Sequence, residues 1–243
     1  MLYVDIDMPK GALLPDQGVA QDPRGIVFDA ATLVLEDTRV TGWHDLSGTY
    51  IARPATPNDG HAKSERLGAR AVLRLRDKVN CGFALEDLTL DLPCFSVAVM
   101  FASPIGRAST LITLNPRDGR DYLFLSESDG AVELKFRDSV AGLSRPCPVV
   151  PGHFNLVCAS VHDDEMKLAV NGETPDALKV SSSLQTGRHD MFIGCRSDRT
   201  GIKKTLGEAQ IARLWIWPGE DIFANSTYPT LTALWQQEAT YEL

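Results

Sequence analysis

Short apolar runs with a period of two residues constrain the fold of this chain more than any other feature. In residues 95–101 every second side chain is a Phe or a Val, and in residues 132–137 apolar side chains alternate with charged ones. Residues 154–162 and 211–217 repeat the alternation. Because successive side chains of a β-strand point to opposite faces, each run predicts a strand with at least one buried face.

Turn-forming dipeptides separate these runs. Asp129-Gly130 stands between two of them, which is a strong hairpin signal, and Asn171-Gly172 closes another. Strands that recur at intervals of about 8–12 residues favour two antiparallel sheets packed face to face. The sequence therefore predicts an all-β, antiparallel two-sheet sandwich.

Two segments depart from the strand pattern. Residues 230–241 are expected to form a short C-terminal helix, because Leu231, Leu234 and Trp235 fall along one stripe of a helix. Residues 53–68 are rich in Pro, Asn, Gly and charged residues, and they predict a polar loop.

The chain of 243 residues divides near its start. Residues 1–24 are interpreted either as an attachment arm or as an ordinary first strand and loop, and residues 25–243 as a single domain. The first residues lack the basic and apolar regions of a signal peptide, so we expect synthesis in the cytoplasm without an export signal. No apolar run reaches the length of about 18 residues that spans a bilayer, so membrane insertion is not expected.

Charge and cysteine usage exclude further classes of protein. With 24 Lys and Arg against 32 Asp and Glu, the net charge is −8, whereas a nucleic-acid-binding surface needs clustered basic residues. The five cysteines are odd in number and lack the CxxC spacing of zinc sites. Cys94, Cys158 and Cys195 lie within apolar runs, so we expect buried, reduced thiols.

Several motifs resemble one family. Residues 43–48, the paired runs of residues 154–170 with their Asn-Gly turn, and the closing run of residues 207–217 resemble the laminin-G-like and concanavalin A-like lectin and glucanase domains. The resemblance covers residues 25–243 and implies a jelly-roll sandwich. It is moderately specific for the fold and poorly specific for function.

The segment Trp43-His-Asp-Leu-Ser-Gly has a structural interpretation. We expect Trp43 to pack under the edge of the sandwich, while Asp45 and Ser47 cap a tight turn that ends at Gly48.

The resemblance also implies that a calcium ion can be held at the rim by Asp side chains and backbone carbonyls. The candidate side chains in predicted loops are Asp118, Asp121, Asp163, Asp164 and Asp198. No ligand set follows from these residues, so calcium stays an open possibility.

Catalytic motifs are missing from the sequence. Glycanases of this fold place acidic residues alternately along one strand, and this chain has no such pattern; the acids between Glu86 and Asp91 would scatter over both faces of a strand. Asp163-Asp164-Glu165 predicts a hairpin turn. No GxSxG, GxGxxG, P-loop or HExxH motif is present. The sequence therefore predicts a protein that is not an enzyme.

Two predicted loops carry residues suited to sugar recognition, which uses an aromatic face and planar hydrogen-bonding groups. One joins two predicted strands and the other follows a later strand, and arginines in both would suit an anionic polysaccharide. Trp217, beside Pro218-Gly219, is expected nearer the surface than Trp215. The candidate glycan-binding residues are Asn115, Arg117, Asp118, Arg120, Asp121, Tyr122, His189, Arg196, Asp198 and Trp217.

These features predict a non-catalytic, lectin-like module that binds a cell-surface or capsular polysaccharide. Without an export signal or paired cysteines, we place it as a receptor-binding spike or fibre protein of a phage or phage-like particle, released by lysis. Its partners would be a glycan and other particle subunits, with several copies to raise avidity. The alternatives are an assembly protein that binds no sugar and, with less support, a polysaccharide-cleaving enzyme.

Overall fold

The alternating runs fold as strands of two stacked antiparallel sheets. The structure is a computed structural model that describes residues 24–139, 141–181, 184–197 and 203–240. The described residues form sixteen strands, two short 3₁₀ helices (Lys203–Thr205 and Ile222–Ala224) and one α-helix. The all-β sandwich with a short C-terminal helix, predicted above, is therefore confirmed.

The elements, in chain order, are β1 (Ile26–Glu36), β2 (Arg39–Asp45), β3 (Ile51–Pro54), β4 (Lys63–Leu67), β5 (Arg70–Arg74), β6 (Phe83–Leu90), β7 (Cys94–Ala102), β8 (Ser109–Pro116), β9 (Leu123–Ser128), β10 (Ala131–Phe136), β11 (Gly142–Pro146), β12 (Asn155–His162), β13 (Glu165–Val170), β14 (Asp176–Lys179), β15 (Gly187–Ile193), β16 (Gln210–Pro218) and α1 (Thr227–Glu238).

The two sheets are continuous along one edge. Sheet A has the order β2-β1-β16-β7-β12-β13-β14, with the β4–β5 hairpin paired to β16, and sheet B has the order β11-β10-β9-β8-β15-β6. Strand β3 pairs with β2 of sheet A and with β6 of sheet B. At the far edge β11 contacts β13 and β14, so the sandwich approaches a closed barrel.

The main core lies between the sheets and is built by the inward half of each alternating strand. Trp43 is fully buried there, in edge-to-face contact with Phe28 at 5.4 Å between ring centroids, and its indole donates a hydrogen bond to Asp29 O. The carboxylate of Asp45 accepts from Ser47 and Tyr50, and Gly48 has φ +74°. The expected packing of Trp43 and the turn that ends at Gly48 are confirmed.

A second apolar cluster covers the outer face of sheet A. Helix α1 and the 3₁₀ helix Ile222–Ala224 lie over Trp215 and Trp217, and Leu231 is buried against them. Trp217 is only 2% exposed. The prediction that it lies near the surface is wrong, because the helix that follows β16 folds back over that face.

Two boundaries differ from the sequence prediction. Residues 53–68 are not one loop, since they contain the end of β3 and the whole of β4, a polar edge strand that pairs with β5. The helix begins at Thr227 rather than at residue 230. Pro229 lies in its first turn, where backbone N–H groups have no intrahelical acceptor, so the N–H that proline lacks costs no hydrogen bond.

The turn and cysteine predictions are confirmed. Asp129 and Gly130 have φ of 53° and 74° between β9 and β10, and Asp163 has φ 53° in the β12–β13 turn. All five cysteines are free and buried. Burial raises the pKa of the Cys94 thiol to about 11 and that of Cys147 to about 12.

Neither the 12-residue helix nor the 3₁₀ turns of the described residues are long and apolar enough to cross a membrane.

Candidate functional site

A groove of about 530 Å³ lies on the outer face of sheet B. It sits where β8 and β10 end and β9 and β15 begin. Two connections frame it: residues 117–122, and residues 194–197, which are the described part of the segment that follows β15. The described residues that line it are Asn115, Pro116, Arg117, Gly119, Arg120, Tyr122, Arg137, Asp190, Phe192 and Ser197. The structure thus brings together the two loops that the sequence analysis singled out.

Strand pairing sets the floor of the groove. Asn115 of β8 lies directly opposite Asp190 of β15, and the next outward side chain of β15 is Phe192. The Asn115 amide donates to Arg196 O at 3.0 Å, which ties the segment after β15 to the floor. Its Oδ1 atom is buried without a hydrogen-bond partner among the described residues.

Ion pairs occupy Arg117 at one end of the groove. Its guanidinium contacts both carboxylate oxygens of Asp190, at 2.7 to 3.0 Å, and Asp87 at 2.7 Å. Asp190, with smaller contributions from Asp87 and Glu86, raises the pKa of Arg117. Arg188 also reaches Asp87, at 3.2 Å. Arg117 therefore holds the protein's own carboxylates and shapes the groove.

Arg120 and Arg137 are differently placed. Arg120 is exposed, and within the described ranges its guanidinium has no ion-pair or hydrogen-bond partner. Arg137 lies 5.6 Å from the Tyr122 ring centroid, and its contacts with Asp138 and Arg120 O are long, at 3.5 Å. Both cations remain available to an anionic ligand beside an aromatic ring.

Arg196 supports the wall of the groove. Its guanidinium lies 4.3 Å above the Phe124 ring and donates to Thr110 Oγ1 at 3.3 Å. Beneath the segment after β15, Phe192, Cys195 and Leu206 form a small apolar cluster. Arg196 is therefore committed to positioning the segment.

A second cavity, of about 200 Å³, adjoins the groove. The two share Pro116, Gly119 and Arg120, so the β8–β9 connection stands between them. His189 lies in this cavity and is 1% exposed, because it occupies an inward position of β15. Burial lowers the pKa of His189 despite its contact with Gly187 O and the nearby Asp190.

Seven of the ten predicted site residues lie at the groove or at the adjoining cavity. Asn115, Arg117, Arg120 and Tyr122 line the groove; His189 and Asp121 line the adjoining cavity, and Arg196 supports the wall. Asp118 is exposed on the connection but does not line either cavity, and Asp198 lies outside the described residues. Trp217 belongs to sheet A, under α1, and cannot contribute to this groove.

Three lining residues escaped the sequence analysis: Arg137, Asp190 and Phe192. Arg137 ends a run already interpreted as having one wet face, and Asp190 follows His189 directly. Both residues thus stood within or beside a segment that had been singled out, but only the strand pairing shows that the three share a face: β8 with β15 for Asp190 and Phe192, and β8 with β9 and β9 with β10 for Arg137.

The four calcium candidates within the described residues lie in two separate connections, and Asp198 lies outside those residues. Asp163 and Asp164 lie in the β12–β13 turn of sheet A, away from the β8–β9 connection that carries Asp118 and Asp121. Searched over the described residues, the structure contains no group of three or more His, Cys, Asp and Glu side chains that could hold a metal ion. The side chains of those residues do not assemble a calcium site.

The groove as a whole combines cations, one carboxylate, an amide and two aromatic rings. Planar hydrogen-bonding groups fit sugar hydroxyls, an aromatic face fits the apolar side of a sugar ring, and guanidinium groups fit carboxylates. The fold and groove together define a β-sandwich domain with a polar, arginine-rich groove on one sheet.

Comparison with known proteins places the fold but no family. No family model and no curated protein matches this sequence. Domain 4 of AbnA, an extracellular arabinanase from Geobacillus stearothermophilus, solved with arabinotriose, is similar with a TM-score of 0.58 at 17% identity, over 83% of this chain and 100% of that domain.

Two larger proteins contain the same fold. Trypanosoma rangeli sialidase matches 89% of this chain with a TM-score of 0.58 at 13% identity, and the receptor-binding domain of botulinum neurotoxin mosaic serotype C/D matches 89% with a TM-score of 0.56 at 13% identity. The matched part is 33% of the sialidase chain and 51% of the toxin chain. The chain shares the β-sandwich of these carbohydrate-active and receptor-binding proteins, and at such identities the likeness concerns the fold.

Proposed function

We propose that this chain is a non-catalytic, lectin-like module that binds an acidic cell-surface or capsular polysaccharide in the groove of sheet B. The observation that carries the proposal is the pair of exposed guanidinium groups beside Tyr122: Arg120 has no partner among the described residues, and Arg137 makes only long polar contacts, at 3.5 Å. On a protein of net charge −8, such a basic spot selects anions locally while the rest of the surface repels them.

The carboxylate content of the groove supports binding without cleavage. Glycoside hydrolysis ordinarily needs two carboxyl groups that flank the scissile bond. Among the described lining residues of the groove, Asp190 is the single carboxylate, and Arg117 holds both of its oxygens. The domain of the arabinanase solved with arabinotriose and the receptor-binding domain of the toxin are further support for a binding role on this fold.

A glycan array that includes acidic capsular polysaccharides tests the proposal, with the protein displayed in several copies and with calcium present or chelated. We expect saturable binding to acidic glycans. Arg120→Ala and Arg137→Ala should each weaken it about tenfold, as loss of one charge-assisted hydrogen bond predicts.

Arg39→Ala is the matched control, because Arg39 is exposed on β2 outside the groove. Equal affinity of all four proteins for the same glycan would place the site elsewhere. Failure of the wild-type protein to bind any acidic glycan would overturn the proposal.

We further propose a setting for this activity, a receptor-binding spike or fibre of a phage-like particle, with several copies per particle. Free, buried cysteines support folding under reducing conditions, and multivalency compensates for weak single-site sugar binding. After lysis of producing cells, the protein should sediment with particles in a density gradient. Recovery only in the soluble fraction would contradict this setting.

An assembly role is the second candidate, and one observation favours it. Ile105, Val149 and Val150 are 43% to 50% exposed, and the two valines line a mainly apolar cavity of about 250 Å³. Apolar side chains on a rim are typical of subunit contacts. If this role is correct, mass measurements in solution should show a stable oligomer that Val149→Asp dissociates, while glycan binding is absent.

A further inference from the structure

The second cavity has a chemistry of its own, distinct from that of the groove. Its polar groups are His189, Asp121 and Gln185, and apolar side chains that include Leu184 and Phe136 form the rest of its wall. Arg120 stands at the boundary with the groove. A ligand for this cavity must therefore present both hydrogen-bonding atoms and a small apolar group.

His189, which lines the cavity, offers a hydrogen-bond acceptor. Its Nδ1 atom lies 3.1 Å from Gly187 O, and because a carbonyl oxygen only accepts, Nδ1 carries the proton. In the neutral ring Nε2 is then an acceptor. Nε2 is buried and has no hydrogen-bond partner among the described residues.

A buried hydrogen-bond acceptor without a partner lowers the stability of the fold. The unpartnered Nε2 of His189 therefore indicates that a ligand or a water molecule supplies the donor. Asp121 is a second acceptor on the same wall. One of its oxygens takes the backbone N–H of Asp138 at 3.1 Å, and the carboxylate also disfavours an anionic group in this cavity. The ligand group is therefore a hydrogen-bond donor that carries no negative charge.

We propose that this cavity is a subsite for an N-acetylated sugar, in which His189 accepts a hydrogen bond from the acetamido N–H. The exposed amide of Gln185 donates to the acetamido carbonyl, and the methyl group packs against Leu184 and Phe136. The inference rests on the proposed function, since it assigns the glycan an acetamido residue next to the acidic residue bound by Arg120 and Arg137.

Methyl glycosides of glucose, glucuronic acid and N-acetylglucosamine, with their galacto counterparts, separate the two subsites. Binding is measured by saturation-transfer NMR on the full chain. We expect the acetamido sugar to bind about tenfold more tightly than the parent hexose, which corresponds to about one well-formed hydrogen bond with its packing. The glucuronic acid glycoside should also bind more tightly than the glucose glycoside, because Arg120 and Arg137 of the groove contact its carboxylate.

Variants show which cavity causes each increase in affinity. His189→Leu and Gln185→Ala should abolish the acetamido preference while the preference for glucuronic acid persists, and Arg137→Ala should do the reverse. Gln185 is exposed, so its substitution should leave folding intact even if that of His189 does not.

The outcomes separate this proposal from the proposed function. Preference for glucuronic acid without preference for the acetamido sugar overturns the subsite alone. Preference for the acetamido sugar without preference for glucuronic acid overturns acidic recognition alone. If an acetamido preference persists in both His189→Leu and Gln185→Ala, the subsite lies elsewhere and the assignment fails.

Discussion

Asp45 shows what one side chain does at the residue scale. It is 4% exposed, and its carboxylate accepts hydrogen bonds from Ser47 N at 3.1 Å, Ser47 Oγ at 2.6 Å and Tyr50 N at 2.7 Å. Burial by itself would raise the pKa of Asp45, but these bonds outweigh it and the pKa is lowered. The ionised carboxylate thus closes the turn between β2 and β3.

Asp45→Asn should lower the free energy of unfolding at pH 7 by about 1–2 kcal/mol, because a neutral amide replaces an ionised acceptor. A carboxyl group with a lowered folded-state pKa stabilises the protein above its unfolded pKa of about 3.9 and loses that contribution as pH falls through the folded value. The difference between wild type and variant should therefore shrink below about pH 4. Urea denaturation at several pH values measures it.

Asp37→Asn is the control, since Asp37 lies in the exposed β1–β2 turn. If Asp45→Asn and Asp37→Asn have the same effect at every pH, the Asp45 carboxylate does not stabilise the turn.

At the scale of elements, Gly194 fixes the segment that walls the groove. It follows β15 with φ +73° and donates its N–H to Leu111 O at 2.9 Å. A Cβ atom at this position would lie 2.3 Å from Leu75 Cδ1, and Leu75 is 1% exposed in the core. The segment can leave the sheet at this point only because the side chain is missing.

Gly219 provides a matched comparison for this position. It has φ +83°, donates its N–H to Cys94 O, and has open space where a Cβ would be. Gly219→Ala should cost about 1–2 kcal/mol from left-handed backbone strain alone. Gly194→Ala should cost about 1–3 kcal/mol more, because it also overpacks the core. Thermal and urea unfolding measure both, and equal losses would mean that Leu75 yields without cost.

At the scale of the whole molecule, Arg145 joins the two sheets at the edge that β3 does not close. From β11 of sheet B it reaches Glu173 at 2.5 Å, Asp176 at 2.9 Å and Thr174 O at 2.9 Å, all beside β13 and β14 of sheet A. Its side chain is 14% exposed. The sandwich is therefore held at both edges, by strand pairing at one and by a guanidinium group at the other.

Arg145→Met should lower the free energy of unfolding by about 1–2 kcal/mol and speed hydrogen exchange in β11 and β14, since both strands lose their connection across the edge. Arg107→Met is the control, because Arg107 makes an exposed pair with Asp77 at 3.2 Å, for which less than about 1 kcal/mol is expected. If the hydrogen-exchange rates of β11 and β14 are the same in wild type and in Arg145→Met, this edge is held by packing alone.

The sequence by itself determined the class of fold, the main hairpin turns and those strands that have a buried face. Side-chain alternation is a local property, so β7, β10 and β12 could be predicted from their own residues. The turn at Asp129-Gly130 could be predicted from the preference of these two residue types for positive φ. The charge of residues 63–67 hid β4, because an edge strand has no buried face to mark it.

The tertiary structure alone decided which of the candidate side chains share a site. The pairing of β8 with β15 brings Asn115 opposite Asp190, although 74 residues lie between them along the chain. The same inward and outward alternation puts His189 beneath the rim, and α1 buries Trp217 on the other sheet. Residue type fixes what a side chain can bind, but its neighbours and its exposure depend on long-range strand register, which no local pattern encodes.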